Sequence, residues 1–281
     1  MRKITNDIIA RFQSFLFSEE KAEATVEKYL HDVRHFKAWL NGKETDKATV
    51  LAYKQVLIET YAPRSANSML SSVNCFFDFA GWQDCKVKTL KLQRQTFAEA
   101  EKELSKGEYE RLLCAAKKKA NLRLYYLMQT ICSTGIRVSE LKFITVQAVQ
   151  SGQAKISCKG KVRKILLSSA LCRVLKQYAE KTGITSGAVF CTKTGKPLNR
   201  SNIWADMKRL CKTAGVLAKK VFPHNLRHLF ARTFYSLQKD IVRLADVLGH
   251  SNINTTRIYT MESGRTHLKQ IQKLGRIFVE I

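Results

Sequence analysis

A histidine, an arginine and a second histidine stand at positions 224, 227 and 228 in the segment PHNLRHLFARTFYSL. On a helix starting at Pro223, the 100° step per residue puts His224, Arg227 and His228 on one side and Leu226, Leu229, Phe230, Thr233 and Leu237 on the other. Spacings of three and four residues stack an imidazole beside a guanidinium near the helix start, where free backbone N–H groups also favour an anion. This is phosphate-binding geometry, and the same pattern also suits a solvated helix face. A second set lies in GHSNINTTRIYT, residues 249–260. Gly249 suits the left-handed cap of the helix DIVRLADVL, and Ser251 or Asn252 can cap the next one. His250 then occupies an exposed corner, with Tyr259 about 10 Å further along a helix over 252–260. Both can reach one phosphate. The competing reading of Tyr259 is a core aromatic beside Ile258.

Two further pieces can join them. In TICSTGIRVSELKF a buried helix ends at Gly135, Arg137 opens a new helical turn, and Glu140 is close enough to orient it. In QAKISCKGKVRKILL a tight turn offers Lys159, Lys161, Arg163 and Lys164.

The elements that must position these residues divide the chain in two. Its 281 residues exceed what one hydrophobic core usually supports. Residues 5 to 80 read as helical throughout, with Val26, Tyr29, Leu30, Val33, Phe36 and Leu40 at three- and four-residue steps before Asn41-Gly42. A helix over 46–60 follows, then one that starts at Pro63 and stops at Gly81. These four helices form a domain over 1–85. Residues 86–103 read as an extended basic linker, carrying Lys86, Lys88, Lys91 and Arg94.

The second domain, 104–281, opens with capping-box spacing at Ser105 and Glu108. Its core helix carries Leu122, Leu124, Tyr125, Leu127, Met128 and Ile131. Strands over 154–158 and 162–167 flank the turn at Gly160, and helices follow over 169–181, 200–214, 223–238, 240–248 and 252–260. The fold class is therefore mainly α, in two domains, the second α+β with a small β-sheet.

Charge narrows the partner. Against 23 acidic residues stand 49 Lys and Arg, a formal net charge of +26. Such an excess repels itself in a compact chain unless a polyanion neutralises it, and nucleic acid is the commonest, with Lys86, Lys88, Lys91, Arg94 and Lys161 as the candidate DNA contacts. No apolar run spans a membrane and no signal peptide opens the chain. The eight cysteines, at 75, 85, 114, 132, 158, 172, 191 and 211, contain no C-x-x-C pair, which suits reduced thiols in a cytoplasmic protein. No metal site and no cofactor motif stand out.

In this order, TGIRVSEL, the KGK turn, HNLRH, LGH and a tyrosine nine residues after that histidine resemble the tyrosine recombinases, the phage-integrase and Xer-type enzymes. The resemblance covers essentially the whole chain. It implies an N-terminal core-binding, SAM-like domain and a catalytic domain that together clamp duplex DNA. By resemblance Tyr259 is the nucleophile that forms a 3′-phosphotyrosine and expels a 5′-hydroxyl. Arg137, Arg227 and His250 hold the non-bridging oxygens, Lys159 is the general acid, and His224 occupies the general acid/base position. A phenol with pKa about 10 needs nearby cations or a base to act as a nucleophile. Two guanidiniums supply forked donors to the phosphorane-like transition state, which makes a metal unnecessary.

The match departs from the family in the hairpin. Cys158 precedes Lys159-Gly160 where a glycine is frequent, and the turn is a residue shorter, which leaves Lys161 a rival for the acid role. His228 matches a family histidine and is either a supporting or a packing residue. After Tyr259, Leu268, Ile271 and Leu274 make an apolar stripe followed by IFVEI. In the family such a tail docks on a neighbouring protomer, and docking in cis is the alternative here. The resemblance thus implies a homotetramer on two DNA sites at the nucleoid, exchanging strands through a Holliday junction, with a directionality factor as a further partner. A type IB topoisomerase and a catalytically silent DNA-binding protein are the alternatives.

Overall fold

The computed structural model describes residues 2–92, 100–158, 161–192, 194–260 and 271–272. They fall into two compact units, Met1–Arg94 and Gln95–Ile281.

In the first unit four helices follow one another: α1 (Asn6–Ser18), α2 (Glu23–Leu40), α3 (Lys47–Thr60) and α4 (Pro63–Ala80). The side chains of Thr5 and Asp46 cap α1 and α3 by accepting from the backbone N–H groups of Ile8 and Thr49. Asn41 and Gly81, both left-handed, end α2 and α4. Phe12, Phe36, Tyr53, Phe76 and Phe77 are fully buried and form the centre of the core.

The chain beyond α4 stays with this unit. Asn67 and Asn74 on α4 each bind a backbone through both ends of the amide. Asn74 accepts from Val87 N–H at 3.1 Å and donates to its carbonyl at 2.8 Å, and Asn67 does the same for Leu90 at 2.7 and 2.9 Å. Seven helical residues rise about 10.5 Å and three extended residues span about 10 Å, so the two amides match two peptides of an extended strip. Lys47 and Lys54 add ammonium donors to the carbonyls of Lys86 and Lys88.

The second unit holds α5 (Lys106–Lys118), α6 (Leu122–Thr134), α7 (Val146–Ser151), β1 (Gln153–Cys158), β2 (Lys161–Leu166), α8 (Ser169–Thr182), α9 (Arg200–Ala214), α10 (Pro223–Gln238) and α11 (Ile241–Leu248). The expected capping box forms at Ser105 and Glu108. Helix α6 packs against α5, α8, α9 and α10, with Leu127, Met128 and Ile131 fully buried. The strands pair antiparallel, Cys158 opposite Lys161 and Ile156 opposite Arg163. Ala154, Ile156 and Ile165 face the core, while Val162 and Leu166 face outward.

Residues 252–260 differ from the expected α-helix. They make two short 3-10 turns, Ile253–Thr255 and Arg257–Tyr259. The Asn252 side chain accepts from Asn254 N–H and the Thr255 hydroxyl donates to the Asn252 carbonyl, so side chains compete for the bonds a helix needs. Four β-branched residues among Ile253, Thr255, Thr256 and Ile258 disfavour the longer helix further. Among the described residues no helix is long and apolar enough to cross a membrane.

Candidate active site

Arg137, His224, Arg227, His228, His250 and Tyr259 converge where the start of α10 meets the end of α11. Arg227 is the centre. The polar face of α10 is only partly solvated there: Arg227 is 1% exposed, while His224 keeps access to solvent. Its Nη1 donates to the carbonyl of Gly135 at 2.5 Å and its Nη2 to that of Leu248 at 2.9 Å. Those carbonyls lie at the C-terminal ends of α6 and α11, where helix carbonyls lack partners and the dipole is negative. One guanidinium thus satisfies two helix ends, which is what permits its burial. The Tyr259 hydroxyl also acts on this guanidinium, favouring its charged form. Burial and the Arg137 charge push the Arg227 pKa down, and Tyr259 and Glu140 push it back up.

His250 is half-buried rather than an exposed corner. Its Nε2 lies 2.9 Å from Arg227 Nη2 and its Nδ1 2.8 Å from the hydroxyl of Thr256, which is fully buried. Burial, then Arg227, Arg137 and Arg163, push its pKa down to about 4, so the ring is neutral at pH 7.

The core reading of Tyr259 holds for its ring. Its ring is buried against Ala231, Leu244 and Leu248, while Ile258 is left exposed. His228 meets the ring edge-on at 4.6 Å and His250 lies nearly parallel to it at 6.0 Å. His228 also meets His224 edge-on at 4.6 Å. Burial, then His224, Arg232 and Arg227, push the His228 pKa down to about 4. On the opposite face of α10, Leu237 does not join the core and remains exposed.

Arg137 is held by Glu140. The buried Glu140 carboxylate accepts from the Arg137 backbone N–H at 2.8 Å and from its guanidinium at 3.1 Å. Arg163, on β2, donates to the same carboxylate at 2.6 Å. Burial pushes the Glu140 pKa up, but the Arg137 N–H and the charges of Arg163 and Arg137 hold it below its ordinary value.

The field at this place is positive. Burial lowers the His224 pKa first, and the charges that lower it further are Arg227, Arg137 and Arg200. An anion seated among these groups relieves their mutual repulsion and finds donors already fixed. Among the described residues no cluster of three or more His, Cys, Asp or Glu is arranged to hold a metal ion.

Other expected residues lie elsewhere. Lys159 falls outside the described residues. Arg94, Leu268 and Leu274 also fall outside them, and Ile271 is exposed. In the first unit, Lys86 pairs with Asp78 at 2.7 Å, and Lys88 and Lys91 are exposed.

Residues 102–265, more than half of the chain, match the model of the phage integrase family. The chain belongs to the phage integrase family. Residues 9–84 match the N-terminal SAM-like domain of phage integrases. Similar relatives include tyrosine recombinase XerA of Thermococcus kodakarensis, 28% identical with 98% of each chain covered. Tyrosine recombinase XerD of Listeria innocua is 28% identical, over 95% of this chain and 98% of its own. Among solved structures, a lambda integrase tetramer bound to a Holliday junction has the same fold, with a TM-score of 0.73 at 18% identity over 90% of this chain and 76% of that one.

Within this member of the phage integrase family, three site residues escaped the reading of the sequence. Arg200 opens α9, capped by Asn199, and nothing in its neighbours marked it as lying near His224. Thr256 stood in the quoted segment without a role. Arg163 was one of four cations at the hairpin and was not distinguished from the rest. Strand alternation, which puts Arg163 on the face of Ile165, was the available signal.

Proposed function

We propose that this chain is a site-specific DNA recombinase that cuts and rejoins duplex DNA through a 3′-phosphotyrosyl intermediate and a Holliday junction. The observation that carries the reading is Tyr259, whose ring lies against His228 and His250 and whose hydroxyl acts on the charge of the buried Arg227. A phenol fixed beside a buried guanidinium is a nucleophile with its phosphate seat adjoining it.

A phosphodiester in that seat presents its non-bridging oxygens to Arg137, Arg227 and His250. Its negative charge favours the protonated imidazole, so binding converts His250 from an acceptor into a donor. The Tyr259 oxygen attacks phosphorus, the bond to the 5′ oxygen breaks, and Lys159 supplies the proton to that oxygen, with Lys161 as its rival. His224 takes the general acid/base position. Charge in the transition state rests on the arginine clamp, so the reaction needs no metal ion and no cofactor. The tyrosyl ester keeps the energy of the broken bond, and a 5′-hydroxyl from a second duplex can reverse the attack without ATP.

Exchange between two sites requires four such tyrosines, which suits a homotetramer joined by the C-terminal tail and acting on double-stranded DNA in the cytoplasm, at the nucleoid. Lys86, Lys88, Lys91 and Arg94 then contact the DNA backbone, and a directionality factor biases the outcome. The test uses nicked duplexes from DNA flanking the gene, incubated without metal and run on a denaturing gel. Wild type forms a covalent protein–DNA band and Tyr259→Phe forms none. A band with the Phe variant removes Tyr259 from the nucleophile role.

A further inference from the structure

Asn225 and Arg232 stand seven residues apart on α10, close to two helical turns, so they share one face. That face flanks the one that carries His224, Arg227 and His228, and Arg232 lies a single turn beyond His228. Both side chains hold the same stretch of chain. Asn225, 3% exposed, donates through Nδ2 to the Lys102 carbonyl at 2.8 Å and to the Lys220 carbonyl at 2.7 Å. Arg232 pairs with the Glu103 carboxylate and donates from Nη2 to the Leu104 carbonyl at 2.6 Å. Its Nε is buried without an acceptor among the described residues, so residues 103 and 104 are what hold this guanidinium. Leu104 is itself fully buried in the core of the second unit. The Lys220 carbonyl belongs to the turn just before α10, so one amide ties that turn, the helix start and residue 102 together. The first unit grips residues 87–90 in the same manner, with Asn67 and Asn74 also seven apart on one helix.

We propose that Asn225 and Arg232 are positioning residues that lash residues 102–104 along α10, a brace that sets how His224, Arg227 and His228 meet the phosphate. The inference rests on the phosphotyrosyl reading above. An amide between two carbonyls, and a guanidinium between a carboxylate and a carbonyl, each need partners fixed on both sides, so together they oppose sliding and rotation of α10. The reaction tolerates little of either, since a misplacement of about 1 Å costs on the order of 100-fold in rate. A direct DNA contact by Arg232 is the competing role, and the charge of Glu103 separates the two. Removing an acid beside a DNA contact tightens binding. Removing it from a brace loosens Arg232 instead.

Wild type, Arg232→Met, Glu103→Ala and Asn225→Ala are compared in two measurements. The first is hydrogen exchange on the full-length protein alone. Each variant speeds exchange about tenfold or more at 102–105 and 224–229 and leaves α1–α4 unchanged. Wild-type exchange in those two segments overturns the brace. The second follows covalent complex on the nicked duplexes as DNA concentration rises. Each variant lowers the saturating rate about tenfold and leaves the half-saturating DNA concentration within about twofold of wild type. Arg232→Met combined with Glu103→Ala is no slower than Arg232→Met alone, because the contact is already gone. Weaker binding by Arg232→Met with tighter binding by Glu103→Ala makes Arg232 a DNA contact and overturns the positioning role, as do unchanged saturating rates. Wild type that forms no covalent complex on any duplex counts against the phosphotyrosyl reading, while the exchange measurement still decides the brace.

Discussion

Arg227 donates to His250 Nε2 across 2.9 Å, and that one hydrogen bond fixes which nitrogen of the imidazole carries the proton. A guanidinium has no acceptor, so Nε2 accepts, and Nδ1 must carry the hydrogen it gives to Thr256 at 2.8 Å. The order Arg227 to His250 to Thr256 is a directed chain of donors ending on a hydroxyl buried in the fold.

Thr256→Val keeps the shape of that end and removes its acceptor. The imidazole N–H is then left unpaired, at a cost of about 1–3 kcal/mol, measurable by urea unfolding. Thr256→Ser retains the acceptor and most of the stability. Nitrogen NMR of the histidine ring reads the tautomer directly: Nδ1–H in wild type and the Ser variant, and a mixture in the Val variant.

Substitution separates the Tyr259 ring from its hydroxyl. Tyr259→Phe keeps the ring against Ala231, Leu244 and Leu248 and removes only the hydroxyl, so its unfolding free energy stays within about 1.5 kcal/mol of wild type. Tyr259→Ala empties a buried aromatic site and loses about 3–5 kcal/mol. Only the Phe variant is a clean probe of chemistry. If it melts as early as the Ala variant, the hydroxyl and not the ring holds this corner together.

The helices were legible because their signals are local. Gly81, Gly249 and the Ser105–Glu108 box each mark an element end within a few residues, and the stripe of Leu127, Met128 and Ile131 repeats at helical spacing. The site was legible in its members and not in its burial. Arg227 belonged to the polar side of α10, and its covering carbonyls come from Gly135 and Leu248, 92 and 21 residues away. No periodicity within α10 encodes partners that distant. The same holds for Asn67 and Asn74, ordinary polar positions on α4 until the extended strip lies across them. Residues 252–260 failed for a different reason. Their polar side chains took the local bonds that a helix over those residues requires.

The histidines make stability fall with acid. The His228 and His250 pKa values stand at about 4 in the folded chain, against an ordinary value of 6.5. Between those values the unfolded chain binds more protons, so stability is full above pH 6.5 and declines as pH falls towards 4. Glu140, held below its ordinary value, loses its contribution only at lower pH. Melting temperature should therefore drop steadily from pH 7 to pH 5. His228→Phe keeps the edge-on contact with Tyr259, removes one titrating group and flattens that slope. A slope equal to that of wild type means the His228 pKa is the same in the folded and unfolded chain.

Two glycines with the same backbone conformation separate strain from crowding. Gly81 has φ of +72° with nothing within 4 Å of where a Cβ would stand, and Gly249 has φ of +65° with Arg163 at 2.6 Å. Gly81→Ala therefore bears only the left-handed penalty, about 1–2 kcal/mol. Gly249→Ala bears the same penalty and must also push Arg163 off Glu140 and Val247, so it unfolds at clearly lower urea than Gly81→Ala. The excess depends on the side chain being displaced. In the background of Arg163→Ala, Gly249→Ala should cost no more than Gly81→Ala does in wild type, because the atoms it strikes are gone. A double-mutant cycle measures that coupling. If the two substitutions simply add, Arg163 does not press on Gly249, and the crowding belongs to another neighbour of α11.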